Sequence, residues 1–194
     1  NFLLQELERH KWHLTTGIFS TPFFFDVMRE QNRNDIAYRV VNQEDYPGWG
    51  YMLDKGATTL WESWDFPETS PSRNHPMFGS VDEWFYRSLL GINPTGAGFA
   101  TFRIQPQPAG DLTWAKGEYR SVRGTIVSDW KKENDRFRLR VIIPVNTRAE
   151  IWIPAKDNGA VTENNQAVKV SRYENGYAVI ATGSGEYTFE STTQ

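Results

Sequence analysis

The chain contains no cysteine. Disulfides and thiolate metal sites are thereby excluded, and the compartment stays open, because periplasmic, secreted and cytoplasmic proteins alike can lack the residue. No apolar run approaches the roughly 20 residues that span a bilayer; Phe23-Phe24-Phe25 is apolar but short. No polybasic stretch occurs either: 21 Lys and Arg are scattered among 24 Asp and Glu, for a net charge of -3. That balance argues against nucleic acid and against an anionic membrane surface as partners. Histidine is limited to His10, His13 and His75, which form no zinc constellation. HExxH, calcium-loop and Gly-rich phosphate motifs are missing, so neither a metal nor a cofactor is expected. No internal repeat or low-complexity segment is found. The chain starts at Asn1 without a signal-peptide pattern, and its first seven residues read as the middle of a helix. It is expected to be a piece of something longer.

What the chain has in quantity is aromatic residues, with 8 Trp, 8 Tyr and 12 Phe. Aromatics fill cores; they also line clefts in which an indole face stacks on a sugar ring. Composition leaves both uses open.

Periodicity divides the chain. Apolar residues recur at helical spacing from Phe2 to about Lys11, and Thr15-Thr16-Gly17 breaks the pattern. Thr21-Pro22 predicts an N-cap with Pro at the first helical position, for a helix from Pro22 to about Gln31. Further helices are expected from Asp35 to about Glu44, from Trp49 to about Asp54 with Gly56 closing it, and from Met77 to about Leu90. Residues 57–74 form a long loop, of a length that is usually functional or disordered; its prolines and aromatics argue for order. The Gly- and Pro-rich stretch Gly91–Gly98 marks a boundary. Beyond it the period becomes two. Strands are expected at 99–104, 118–123, 125–130, 136–143, 150–153, 167–170, 177–181 and 186–190, with Asn164-Asn165 and Asn175-Gly176 as hairpin turns. The expected architecture is α then β: helices from the end of a toroid of helical hairpins over residues 1–96, then an antiparallel β-sandwich over residues 97–194.

The chemistry concentrates in Thr58-Thr59-Leu60-Trp61-Glu62-Ser63-Trp64, with His75 following in Asn74-His75-Pro76. Glu62 lies between two indoles that can exclude water from it and hold a sugar. An isolated Glu in a loop is ordinarily a solvated charge, and a lone His before a helix can be a simple capping turn; Glu62 as acid or base and His75 as a substrate contact are the functional alternatives. Glycoside hydrolysis normally needs two carboxylates, and no second one can be assigned here. Asp82 and Glu83 read as solvated helix residues, and His10 and His13 as ordinary helix-end residues.

These segments, with Tyr46-Pro47-Gly48-Trp49-Gly50-Tyr51-Met52, Gly56-Ala57-Thr58-Thr59-Leu60-Trp61-Glu62, Asn74-His75-Pro76-Met77-Phe78-Gly79, Thr15-Thr16-Gly17-Ile18-Phe19 and Leu112-Thr113-Trp114-Ala115-Lys116-Gly117, resemble the C-terminal part of the bacterial α-L-rhamnosidases. The resemblance implies an (α/α)6-barrel catalytic domain followed by a β-sandwich. It also implies hydrolysis of terminal non-reducing α-L-rhamnose by inversion, acting on a rhamnose-containing carbohydrate. Glu62 falls on the family's general base and His75 on a histidine that contacts rhamnose. Trp64, Trp61 and Trp49 are expected at the sugar pocket. The family's general acid lies in the half of the barrel that precedes these residues. The chain alone is therefore expected to be inactive, and to pair with that missing half or with itself. Two other readings stay open: a non-catalytic carbohydrate-binding or structural module, and an (α/α)6 hydrolase for another sugar.

Overall fold

The computed structural model describes residues 2–65, 72–156 and 159–193. Asn1, and residues 66–71 of the expected long loop, lie outside the described residues. The chain forms two compact units, Asn1–Trp84 and Phe85–Gln194, taken in turn.

The first unit holds α1 (Phe2–Arg9), α2 (Thr21–Glu30), α3 (Asn34–Val41), α4 (Trp49–Asp54) and α5 (Ser80–Trp84). α2 buries Thr21, Phe24, Phe25 and Met28, the i, i+3, i+4, i+7 face of an amphipathic helix. α3 turns Ile36, Ala37 and Val40 inward. α2 packs on both α3 and α5. The buried Asn34 accepts a hydrogen bond from the indole N–H of Trp84 at 2.5 Å, which ties the start of α3 to α5. The N-cap expected at Thr21 is not made. Its hydroxyl is buried and donates backwards to the Gly17 carbonyl at 2.9 Å, so Ser20 takes the cap position without a side-chain bond. The helix expected over 77–90 is in fact composite: a 3-10 turn over Pro76–Gly79, then α5, with Phe85–Leu89 wound as a π-helix in the second unit. Among the described residues, no helix is long and apolar enough to cross a membrane.

The second unit is built of β1 (Ile92–Pro94), β2 (Thr101–Ile104), β3 (Trp114–Ser121), β4 (Gly124–Glu133), β5 (Arg136–Ile143), β6 (Arg148–Pro154), β7 (Val161–Glu163), β8 (Gln166–Ala167), β9 (Arg172–Glu174), β10 (Tyr177–Thr182) and β11 (Gly185–Thr192). They form a five-stranded sheet, β1-β2-β6-β10-β9, and a six-stranded sheet, β3-β4-β5-β11-β7-β8. Pairing is antiparallel except between β2 and β6, which run parallel. The whole β3-β4-β5 meander intervenes between those two strands, and that length of chain permits the crossover. One core joins the sheets: Phe102, Ile104, Ile151 and Ile153 from the first meet Trp130, Phe137, Leu139 and Phe189 from the second. β5 alternates Phe137, Leu139 and Val141, all buried, with Arg136, Arg138 and Arg140 on the other face. Gly91–Gly98, read from composition as the boundary, carries β1 and is fastened into this unit by the amides of Thr95 and Gly96, which both donate to the Thr101 carbonyl.

The hairpin turns are governed by residues that tolerate positive φ. Asn164 and Asn165 (φ 48° and 64°) join β7 to β8, and Asn175 and Gly176 (φ 51° and 80°) join β9 to β10. The strand expected at 167–170 is displaced, because β7 and β8 flank the Asn164-Asn165 turn at 161–163 and 166–167.

Candidate active site

Glu62 and His75 both belong to the first unit, and local chemistry explains how each is placed. α4 ends at Asp54, and Gly56, just past the C-cap Lys55, has a φ of +77°. The Gly56 amide donates to the Leu53 carbonyl and the Ala57 amide to Met52, each at 2.9 Å. This αL closure satisfies the last carbonyls of the helix and sends the chain off as the Ala57–Glu62 segment. That segment is clamped along Ser72–His75: the Thr59 hydroxyl donates to the Arg73 carbonyl, the His75 amide to Leu60 at 2.8 Å and the Glu62 amide to Ser72 at 3.3 Å. Glu62 and His75 thus stand on paired stretches of backbone, and both are half-buried. The His75 side chain makes no capping hydrogen bond to the following turn; its Nε2 lies 3.2 Å from the Met77 sulfur.

Trp61, Trp64 and Trp49 are buried, with relative exposures of 3%, 8% and 8%. The Trp64 ring lies 3.8 Å from that of Phe78 and stands edge-on to Trp49 at 4.8 Å. The indole N–H of Trp64 donates to the Thr16 carbonyl at 2.7 Å, and that of Trp49 to the Phe78 carbonyl at 3.1 Å. Phe25 of α2 completes the cluster against Trp49. Segments widely separated in the chain, around Thr16, Trp49, Trp64 and Phe78, therefore meet in one aromatic wall behind the Glu62 segment. Gly48-Trp49-Gly50 has a steric reason as well. A Cβ on Gly50 would stand 2.5 Å from the Gln43 carbonyl oxygen, so only glycine lets the first turn of α4 lie against that strand of chain.

Sequence reasoning missed two participants. Phe78 was legible only as part of a motif, yet it is fully buried and is the hub of the aromatic wall. His13, read as an ordinary helix-end residue, is 7% exposed; it bonds the His10 carbonyl through Nδ1 at 3.1 Å and an Asp45 carboxylate oxygen through Nε2 at 2.7 Å. The imidazole holds the Asp45 carboxyl below its ordinary range, and it ties the end of α1 to the approach to Trp49. No sequence signal marks this pair, since its members are distant in the chain. Among the described residues, no group of three His, Asp or Glu side chains could hold a metal ion.

Known proteins bear out the resemblance. Residues 1–89 match the bacterial alpha-L-rhamnosidase 6 hairpin glycosidase domain, and residues 91–168 match the bacterial alpha-L-rhamnosidase C-terminal domain. An alpha-L-rhamnosidase of Streptomyces avermitilis is 38% identical over 96% of this chain, which corresponds to 19% of that protein. The solved alpha-L-rhamnosidase from Dictyoglumus thermophilum superposes with a TM-score of 0.91 at 37% identity, covering 99% of this chain and 22% of the other. The Streptomyces avermitilis enzyme complexed with L-rhamnose gives a TM-score of 0.89 at 37% identity, over 97% and 19% of the two chains. The chain spans about a fifth of the length of these relatives. With its helical stretch matching the glycosidase domain and its β unit the domain that follows, the chain belongs to the bacterial α-L-rhamnosidase family.

Proposed function

We propose that this chain supplies the general-base side of the active site of an inverting α-L-rhamnosidase, which removes terminal non-reducing α-L-rhamnose from glycosides or polysaccharides. Glu62 takes a proton from a water molecule as that water attacks the anomeric carbon. A carboxylic acid outside this chain protonates the departing glycosidic oxygen, and the single displacement inverts the configuration. His75 contacts the rhamnose. Trp64, Trp61 and Trp49 shape the wall of the pocket and hold the Glu62 segment in position.

The observation that carries this reading is the backbone clamp, in which Leu60 and Glu62 pair with His75 and Ser72. A general base has to be held at a set distance from its water, and a two-sided backbone ladder holds Glu62 better than a free loop would. The bound L-rhamnose named for the Streptomyces avermitilis relative supports the choice of sugar. The test is the Glu62→Gln variant of the complete enzyme, assayed on an aryl α-L-rhamnoside. Loss of a general base is expected to lower kcat about 10²- to 10⁴-fold with an unchanged melting temperature. NMR of the first-formed sugar from the wild type is expected to show the β anomer. Near-normal turnover of the variant, or an α product, would sink the assignment.

A further inference from the structure

The outer face of the six-stranded sheet carries an exposed indole at its edge and an open groove beside it. Trp114, at the start of β3, is 63% exposed. It lies opposite Lys131 of β4; Lys131 lies opposite Arg138 of β5, Arg138 opposite Glu190 of β11, and Glu190 opposite Thr162 of β7. These residues share the outward face, because the alternate positions Trp130, Leu139 and Phe189 fill the core. A second outward row, Glu133, Arg136 and Thr192, runs alongside. Residues of both rows line a groove of 410 Å³.

The geometry and the chemistry fit one class of ligand. Strands stand about 4.8 Å apart, so the row from Trp114 to Thr162 makes a track about 19 Å long. That spacing is close to the advance per unit of an extended sugar chain. Along the track, the ammonium and guanidinium donors of Lys131 and Arg138 are followed by the carboxylate of Glu190 and the hydroxyl of Thr162, so the row offers donors and acceptors to hydroxyl groups that both accept and donate. The charges are largely balanced: Lys131 pairs with Glu133, and Arg138 with Glu190 at 3.8 Å. Such exposed pairs contribute little to stability and can exchange one another for hydroxyl groups. An exposed indole next to them offers a flat stacking face.

We propose that this face is a carbohydrate-binding site that takes an extended, neutral oligosaccharide chain. Trp114 stacks on one sugar ring, and Lys131, Arg138, Glu190 and Thr162 bond the hydroxyls of the rings that follow. The choice of a glycan rests on the carbohydrate reading above, but not on the role of Glu62. The site would keep a polysaccharide on the protein between cleavage events.

Affinity electrophoresis of the chain in native gels containing soluble arabinoxylan, galactomannan or gum arabic tests this, with serum albumin as the reference protein. Retardation by arabinoxylan or galactomannan is expected. Trp114→Ala is expected to weaken the apparent affinity about tenfold or more with unchanged circular dichroism, Arg138→Ala to weaken it less, and Glu62→Gln to leave it unaltered. Absence of retardation by both neutral polymers, or equal retardation of Trp114→Ala, overturns the proposal. Retardation by gum arabic alone that disappears with added salt also overturns it, as charge capture of an acidic polymer. Loss of retardation in Glu62→Gln moves the binding to the Glu62 segment, which overturns this site and leaves the catalytic reading standing.

Discussion

The backbone amide of His75 donates to the carbonyl of Leu60 at 2.8 Å. This bond brings the histidine beside the segment that carries Glu62, and it does not involve the imidazole. The His75 side chain can therefore be removed without undoing the clamp. In the complete enzyme, His75→Ala is expected to raise KM for an aryl rhamnoside about tenfold or more, the effect of losing one good substrate hydrogen bond, with little change in melting temperature. His75→Pro deletes the amide as well, and kcat should then fall too. Steady-state kinetics of the two variants side by side check the distinction.

Trp64 is expected to act on stability through its N–H. Trp64→Phe keeps most of the ring against Phe78 but removes the donor to the Thr16 carbonyl. A partly buried carbonyl losing its partner costs about 1–3 kcal/mol, whereas Trp64→Ala empties the wall and costs about 3–5 kcal/mol. Urea unfolding followed by tryptophan fluorescence would rank the two.

Gly50 and Gly17 make a matched steric pair. A Cβ at Gly50 meets the Gln43 carbonyl oxygen at 2.5 Å and the Glu44 Cα at 2.8 Å, whereas one at Gly17 meets nothing within 4 Å. Gly50→Ala is expected to be expressed poorly or to melt well below the parent, since backbone must move to admit the methyl group. Gly17→Ala is expected to melt near the parent. Thermal scans of both variants decide it.

The His13–Asp45 pair predicts a pH dependence. Hydrogen bonding from His13 lowers the folded-state pKa of Asp45 below its ordinary value of 3.8. A depressed carboxyl stabilises the fold above the unfolded value and loses that contribution as pH falls through the folded one. Asp45→Asn is therefore expected to be less stable than the parent at pH 6. The gap should close as the pH is taken below 3.8. A stability difference independent of pH would show that the pair has no ionic part.

Phe19 and Phe23 are 75% and 67% exposed, and Val27, one turn beyond Phe23 on α2, is 41% exposed. Apolar stripes of this kind ordinarily find a cover. The isolated chain is expected to self-associate as its concentration rises. Light scattering after size exclusion should show this, and Phe19→Ser with Phe23→Ser should return the chain to the monomer.

Much of this was legible in the sequence, for local reasons. The alternation of Phe137, Leu139 and Val141 with arginines specified a half-buried strand, because a strand's side chains alternate whatever lies around it. Asn175-Gly176 specified a turn through φ alone. Glu62 and His75 were legible through the motif, and the helical and β stretches through the change of period at about residue 91. The π-helical end over Phe85–Leu89 was not, since the pattern of apolar residues over 77–90 fits an α-helix equally well. The β2–β6 parallel pairing was not legible either, because neither strand carries a mark of its partner.

By itself, then, the sequence determined the order of elements, the alternation within each strand, the family and the residues that carry the motif. These depend on backbone periodicity and side-chain type, which act over a few neighbouring residues. Tertiary structure alone decided that Thr16, Trp49, Trp64 and Phe78 form one wall, that His75 is fastened to Leu60, that His13 reaches Asp45, and that Trp114 begins a row running through Lys131 and Arg138 to Glu190. Each of these joins residues far apart in the chain, and the register and packing that bring them together are properties of the whole fold rather than of any segment.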